Sequence, residues 1–151
     1  TISAVPTTTS AAPSTRPTNV IVPVVEPNMT GAATSFLPNS TFTVIASDFE
    51  SPQAKALVWV QEHPEFPTMP KWRRLQLMAL LTFEYAVGKY FKRRPNYELP
   101  ECQWSTNTTS GLDSLSIACD SEGRCKRFSA GGTLRKGAIP LELFLLTHLT
   151  R

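Results

Sequence analysis

Few side chains in this 151-residue chain can do chemistry. The three cysteines, Cys102, Cys119 and Cys125, stand in the spacing Cys-x16-Cys-x5-Cys. A structural zinc site is closed by four ligands, so a set that stops at three fits the metal badly. An odd cysteine count leaves one thiol over if a single bridge forms within the chain. Three such bridges can be drawn, Cys119–Cys125 among them. His63 and His148 have no cysteine or carboxylate partner at triad or metal spacing, which argues against nucleophilic and metal-assisted catalysis. Asp113, Asp120 and Glu122 lie close together, but in a stretch that reads as a solvated loop rather than a cation site. The expectation is a protein that is not an enzyme, with no catalytic residue, no metal and no cofactor.

The remaining chemistry is covalent modification. Asn28-Met29-Thr30, Asn39-Ser40-Thr41 and Asn107-Thr108-Thr109 are acceptor triplets for N-glycosylation, none with proline in the middle. Beside cysteines able to form a disulfide and a Thr/Pro-rich leading segment, they point to a secreted protein or the extracellular face of the cell surface.

Charge and hydropathy narrow the partners. The formal net charge is only +3. The densest basic cluster, Lys89 to Arg94, reads as a solvated helix end rather than a nucleic-acid patch, because Lys and Arg favour the last turn of a helix. No nucleic-acid partner is expected. The longest near-apolar run, Leu77 to Phe83, is seven residues, far short of the roughly 20 that span a bilayer. Membrane attachment would therefore have to come from segments outside this chain.

The elements that position these residues begin after a distinct leader. Thr, Ser and Pro supply 22 of the first 50 residues, and only Arg16, Glu26, Asp48 and Glu50 there are charged. Residues 1–19 carry too little apolar surface to repay the entropy of ordering and read as a stalk. Val20 to Val25 and Phe42 to Ala46 are short β-prone runs, expected to lie on the body as single extended strands.

Ser51-Pro52 opens a helix, with Ser capping free amides and Pro at the first helical position. Ala54, Leu57, Val58 and Gln61 share one face, Trp59 and Val60 broaden it, and Pro64 and Pro67 end it. A second helix is predicted from about Trp72 to Phe91. Trp72, Leu75, Ala79, Phe83, Ala86 and Tyr90 recur at threes and fours, while Leu77, Leu80 and Leu81 make its middle apolar on nearly all sides. Such a helix is buried between layers, and its aromatic stripe is core packing.

Toward the other end, Cys125 to Ala130 reads as a short strand with inward positions. Gly137 permits a turn, and Pro140 leads a compact helical or 3₁₀ segment carrying Leu143, Leu146 and Leu149. Strand, turn, short convex segment and next strand make one turn of a solenoid. The strong patterning of Leu141 to Arg151 and the absence of an initiating methionine suggest the front end of a longer protein.

Residues 125–151 resemble the start of a plant-type leucine-rich repeat array. Phe128, Ala130, Leu134, Gly137, Ile139 and Pro140 fall on or within one residue of that family's repeat positions, and Leu143, Leu146 and Leu149 continue the cadence. Cys102-Gln103-Trp104 and Ile117-Ala118-Cys119 are similar to the cap that precedes such arrays. Ser51-Pro52-Gln53, Leu57, Trp59, Trp72, Gln76, Ala79-Leu80 and Thr82-Phe83 resemble the cap helices of leucine-rich repeat proteins found in diatoms. The sequence departs from the pattern near Thr133, where the usual Asn is missing. It departs again at Cys125 and Phe128, which replace small aliphatics, and in the longer stretch between Trp104 and Cys119.

The resemblance implies an α+β fold: a helical, disulfide-tied N-terminal cap of a leucine-rich repeat solenoid behind an extended, partly disordered N-terminal segment. It divides the chain into a stalk (1–50), a cap (51–124) and a first repeat with the approach to a second (125–151). It implies a Cys102–Cys119 bridge with Cys125 inward and reduced, and a cap core of Leu57, Trp59, Trp72, Leu75, Ala79, Phe83 and Trp104. The implied function is the non-catalytic cap of a receptor-like cell-surface protein whose protein or cell-surface ligand binds later repeats. The alternative is a structural or adhesive cell-wall glycoprotein.

Overall fold

A computed structural model of the chain describes residues 26–87, 97–106, 115–131 and 138–150. The leader 1–19, Val20 to Val25, the basic cluster Lys89 to Arg94, and Asn107, Asp113, Thr133, Leu134 and Gly137 lie outside the described residues.

The described chain is a mixed helical and β unit closed by one disulfide. A single helical turn, α1 (Gly31–Thr34), is followed by α2 (Asn39–Ser47). The run Phe42 to Ala46 is therefore helical and not the extended strand its β-branched residues suggested. Tertiary burial decided the matter: Thr41 and Ile45, four residues apart, share the buried face of α2, and α2 packs against the next helix. Ala33, Phe36 and Ile45 are all buried, so this part of the Thr/Ser-rich stretch joins the packed body as helices.

Helix α3 (Pro52–Glu62) starts as its sequence directs, with the Ser51 hydroxyl accepting the Ala54 amide at 3.1 Å and Pro at the first position. Its Ala54, Ala56, Leu57 and Val60 face inward. The turn after it is held by Arg74, whose guanidinium sits 4.6 Å from the Phe66 ring centre and donates to the Phe66 carbonyl at 3.0 Å.

Helix α4 (Lys71–Val87) is the centre of the unit. Every residue from Gln76 to Glu84 is buried. No solvent face survives in its middle because α4 packs on α3, on a 3₁₀ turn at Leu141–Leu145 and, through Phe83, on the sheet. The all-round apolar pattern has this cause.

The sheet has three antiparallel strands in the order β1 (Ser105–Thr106), β2 (Leu115–Cys119), β3 (Cys125–Ala130). Leu115 pairs with Ala130 and Ile117 with Phe128, which puts these four on one face. Cys125 is three residues before Phe128, the wrong parity for a regular strand. The register skips Lys126 between Ala118↔Arg127 and Cys119↔Cys125, and this bulge turns Cys125 inward as well. Phe128 then meets Phe83 edge to face, with ring centres 4.8 Å apart.

Candidate functional site

Cys102 and Cys119 are bridged, with Cα atoms 5.7 Å apart. The bond ties the 3₁₀ turn Glu101–Gln103 to the end of β2. Cys125 is a free, buried thiol lying across the ladder from Cys119, and burial pushes its pKa up to about 11.

The hairpin joining β2 to β3 is built by Asp120. Its Oδ1 accepts the amides of Arg124 and Glu122, both at 2.9 Å, and these hydrogen bonds hold its carboxyl below the ordinary carboxylate value. Gly123 takes the left-handed conformation (φ +81°) that the turn requires. Asp120 is thus a turn former, and His63 has a comparable local role, its Nδ1 accepting the Glu65 amide at 3.2 Å. Among the described residues no group of three His, Cys, Asp or Glu is arranged to hold a metal ion.

One buried glutamine joins three of these parts. Gln76 of α4 accepts the Cys125 amide through Oε1 at 2.7 Å. Its Nε2 donates to the Gly123 carbonyl at 2.9 Å and to Glu101 Oε1 at 3.3 Å. Glu101, 4% exposed, also receives Arg73 at 3.0 and 3.3 Å, and that contact raises the guanidinium pKa further. Gln76 belongs to the cap resemblance, but its role as a hub was not read from sequence. The available signal was a polar side chain on a stripe of otherwise apolar residues.

A second buried carboxylate, Glu142, anchors the terminal 3₁₀ turn. It accepts Thr41 Oγ1 at 3.2 Å and Gln53 Nε2 at 3.3 Å, so α2, α3 and the last segment meet on one side chain. Beyond it, the Thr150 amide donates to the Lys126 carbonyl at 2.9 Å, and the Thr150 hydroxyl to the same oxygen at 3.3 Å. The chain thereby returns to the outer edge of β3.

The expected framework residues that are described divide into three groups. Leu57, Ala79, Phe83, Trp104, Cys125 and Leu146 are buried. Trp59, Trp72, Leu75, Phe128, Pro140 and Leu143 are half-buried, with the Arg124 guanidinium 5.6 Å from the Trp72 ring centre. Ile139 and Leu149 do not point into a core: they are 58% and 43% exposed, with Leu141 at 73% and Phe144 at 81%. Leu141 and Phe144 share a face because three residues make one 3₁₀ turn, and the inner face of that turn is taken by buried Glu142 and half-buried Leu145. Asn28 and Asn39 are both exposed, although Thr41 of the second triplet is buried.

No protein-family model, curated protein or solved structure matches the chain.

Proposed function

We propose that this chain is the non-catalytic N-terminal cap and first turn of an extracellular leucine-rich repeat solenoid, in which further turns recognise a protein or cell-surface ligand. The observation that carries this reading is the hydrogen bond from Thr150 to Lys126. The chain leaves the edge of β3 and comes back to it 24 residues later, within the roughly 20–29 residues of one leucine-rich repeat.

The two sides of β3 support the same reading. A solenoid turn presents an apolar end and an open strand edge that a neighbour must cover. One edge of β3 is paired with β2, and the layer behind it is α4. In the segment that leads back to Thr150, Ile139, Leu141, Phe144 and Leu149 are exposed apolar residues. The Cys102–Cys119 bridge fits an oxidising compartment, and no helix among the described residues is long and apolar enough to cross a membrane. Exposed Asn28 and Asn39 fit a secreted or cell-surface glycoprotein.

Fusion through Arg151 to a consensus array of 24-residue leucine-rich repeats tests the proposal. The expected result is one cooperative unfolding transition at a higher temperature than that of the uncapped array, because neighbouring turns share an interface. A junction shifted out of register should lose the gain. Two independent transitions, with no difference between the in-register and shifted fusions, would overturn the reading.

A further inference from the structure

A cleft of about 560 Å³ opens between the end of α3, the turn after it, the first half of α4 and residues 97–104. Its volume lies within the roughly 300–1,000 Å³ of ligand-binding clefts. The apolar wall is Trp59 and Tyr97, backed by buried Trp104 and Leu77. Trp104 is 2% exposed, its indole N–H donates to the Leu99 carbonyl at 2.8 Å, and it meets Trp59 and Tyr97 edge to face at 6.1 and 5.2 Å. These contacts fix the aromatic wall in advance of any ligand.

Charged side chains line the same cleft. Arg73 is engaged by both Glu101 and Glu65, so two carboxylates share one guanidinium and negative charge is left in excess. Glu62 lines the same cleft as the last residue of α3, where the helix terminus already carries partial negative charge. The molecule as a whole has a formal net charge of +3, so this acidic, aromatic recess runs against the overall charge.

We propose that the cleft binds a lysine or arginine side chain presented by an extended segment of a partner protein. The aromatic wall takes the apolar stem and the cation through the ring quadrupole, and the surplus carboxylate charge meets the head group. Among the described residues that line the cleft the only Lys or Arg is Arg73, which is already held on both sides, so an anion finds no free cation there. A neutral sugar would leave the excess charge unmatched. The site does not depend on the solenoid reading, since all its lining residues fall between Trp59 and Trp104, ahead of the segment that reading rests on.

Titration of the whole chain with amidated hexalysine and hexa-arginine peptides, followed by tryptophan fluorescence at low salt, tests the proposal. Saturable binding is expected, weakened about fivefold or more by Glu62→Lys. That substitution places a cation at a helix C-terminus and so preserves α3. Glu50→Lys, the same charge change at the other end of α3, should bind like the parent. Equal weakening by the two substitutions would reduce the effect to general electrostatics and overturn the proposal, as would equal affinity of the parent and Glu62→Lys. So would an absence of saturable binding, or tighter binding of hexaglutamate or of an N-acetylglucosamine oligomer.

Discussion

Gln76 and Cys125 show how much of this unit rests on single polar positions in an apolar setting. Gln76 satisfies a strand amide, a turn carbonyl and a buried carboxylate at once, so it locks the disulfide-tied turns to α4. Cys125 is held in the same place as a neutral thiol. Its folded pKa of about 11 is above the ordinary 9.0, so the folded state holds the proton more tightly than the unfolded chain does. That contribution to stability is complete below pH 9 and is lost as the pH rises through about 11. Thermal melts across this range should show a steeper fall for the parent than for Cys125→Ala. Parallel curves for the two would show that the thiol does not titrate with unfolding. The same high pKa keeps the thiolate scarce at neutral pH, which protects the neighbouring Cys102–Cys119 bridge from exchange.

Among the elements, α4 carries the packing and α2 the surprise. Leu80 and Phe83 are 3% and 1% exposed and sit where α4 meets its neighbours. Truncation of either to Ala should cost about 2–5 kcal/mol in urea unfolding, the sum of lost transfer and a residual cavity. Near-neutral values for both would contradict a helix buried on all sides. Helix α2 offers a sharper comparison, because its two neighbouring β-branched residues face different environments. Ile45 is fully buried and Val44 is 38% exposed. Ile45→Asp should destabilise the unit by several kcal/mol, whereas Val44→Asp should stay within about 0.5 kcal/mol, as surface changes usually do. Equal effects would mean that α2 does not dock through this face. Helices α3 and α4 were legible because capping and apolar periodicity are local signals. The helical state of 42–46 was not legible, since propensity there favours strand and only the contact with α3 reverses it.

At the scale of the molecule, the terminal segment leaves apolar side chains exposed. Leu141 and Phe144 share the outer face of its 3₁₀ turn, and Ile139 and Leu149 on either side of the turn are also exposed. Replacing Leu141 and Phe144 with Ser should lower self-association in sedimentation at high concentration and leave the melting temperature nearly unchanged. A large drop in melting temperature would show that these side chains belong to the core. The sequence by itself determined the two long helices, the serine cap, the short strand at Cys125–Ala130 and the compact turn after Pro140. Each follows from spacing or from a residue's own backbone preference. Tertiary structure alone decided that Lys126 bulges so that Cys125 and Phe128 share a face, and that Gln76, Glu101 and Glu142 are buried as polar anchors. It also decided that Trp59, Tyr97 and Trp104 converge on one acidic cleft. The buried polar anchors depend on partners 25 to 101 residues away, as with Gln76–Glu101 and Thr41–Glu142, and local sequence preferences do not encode contacts at that range.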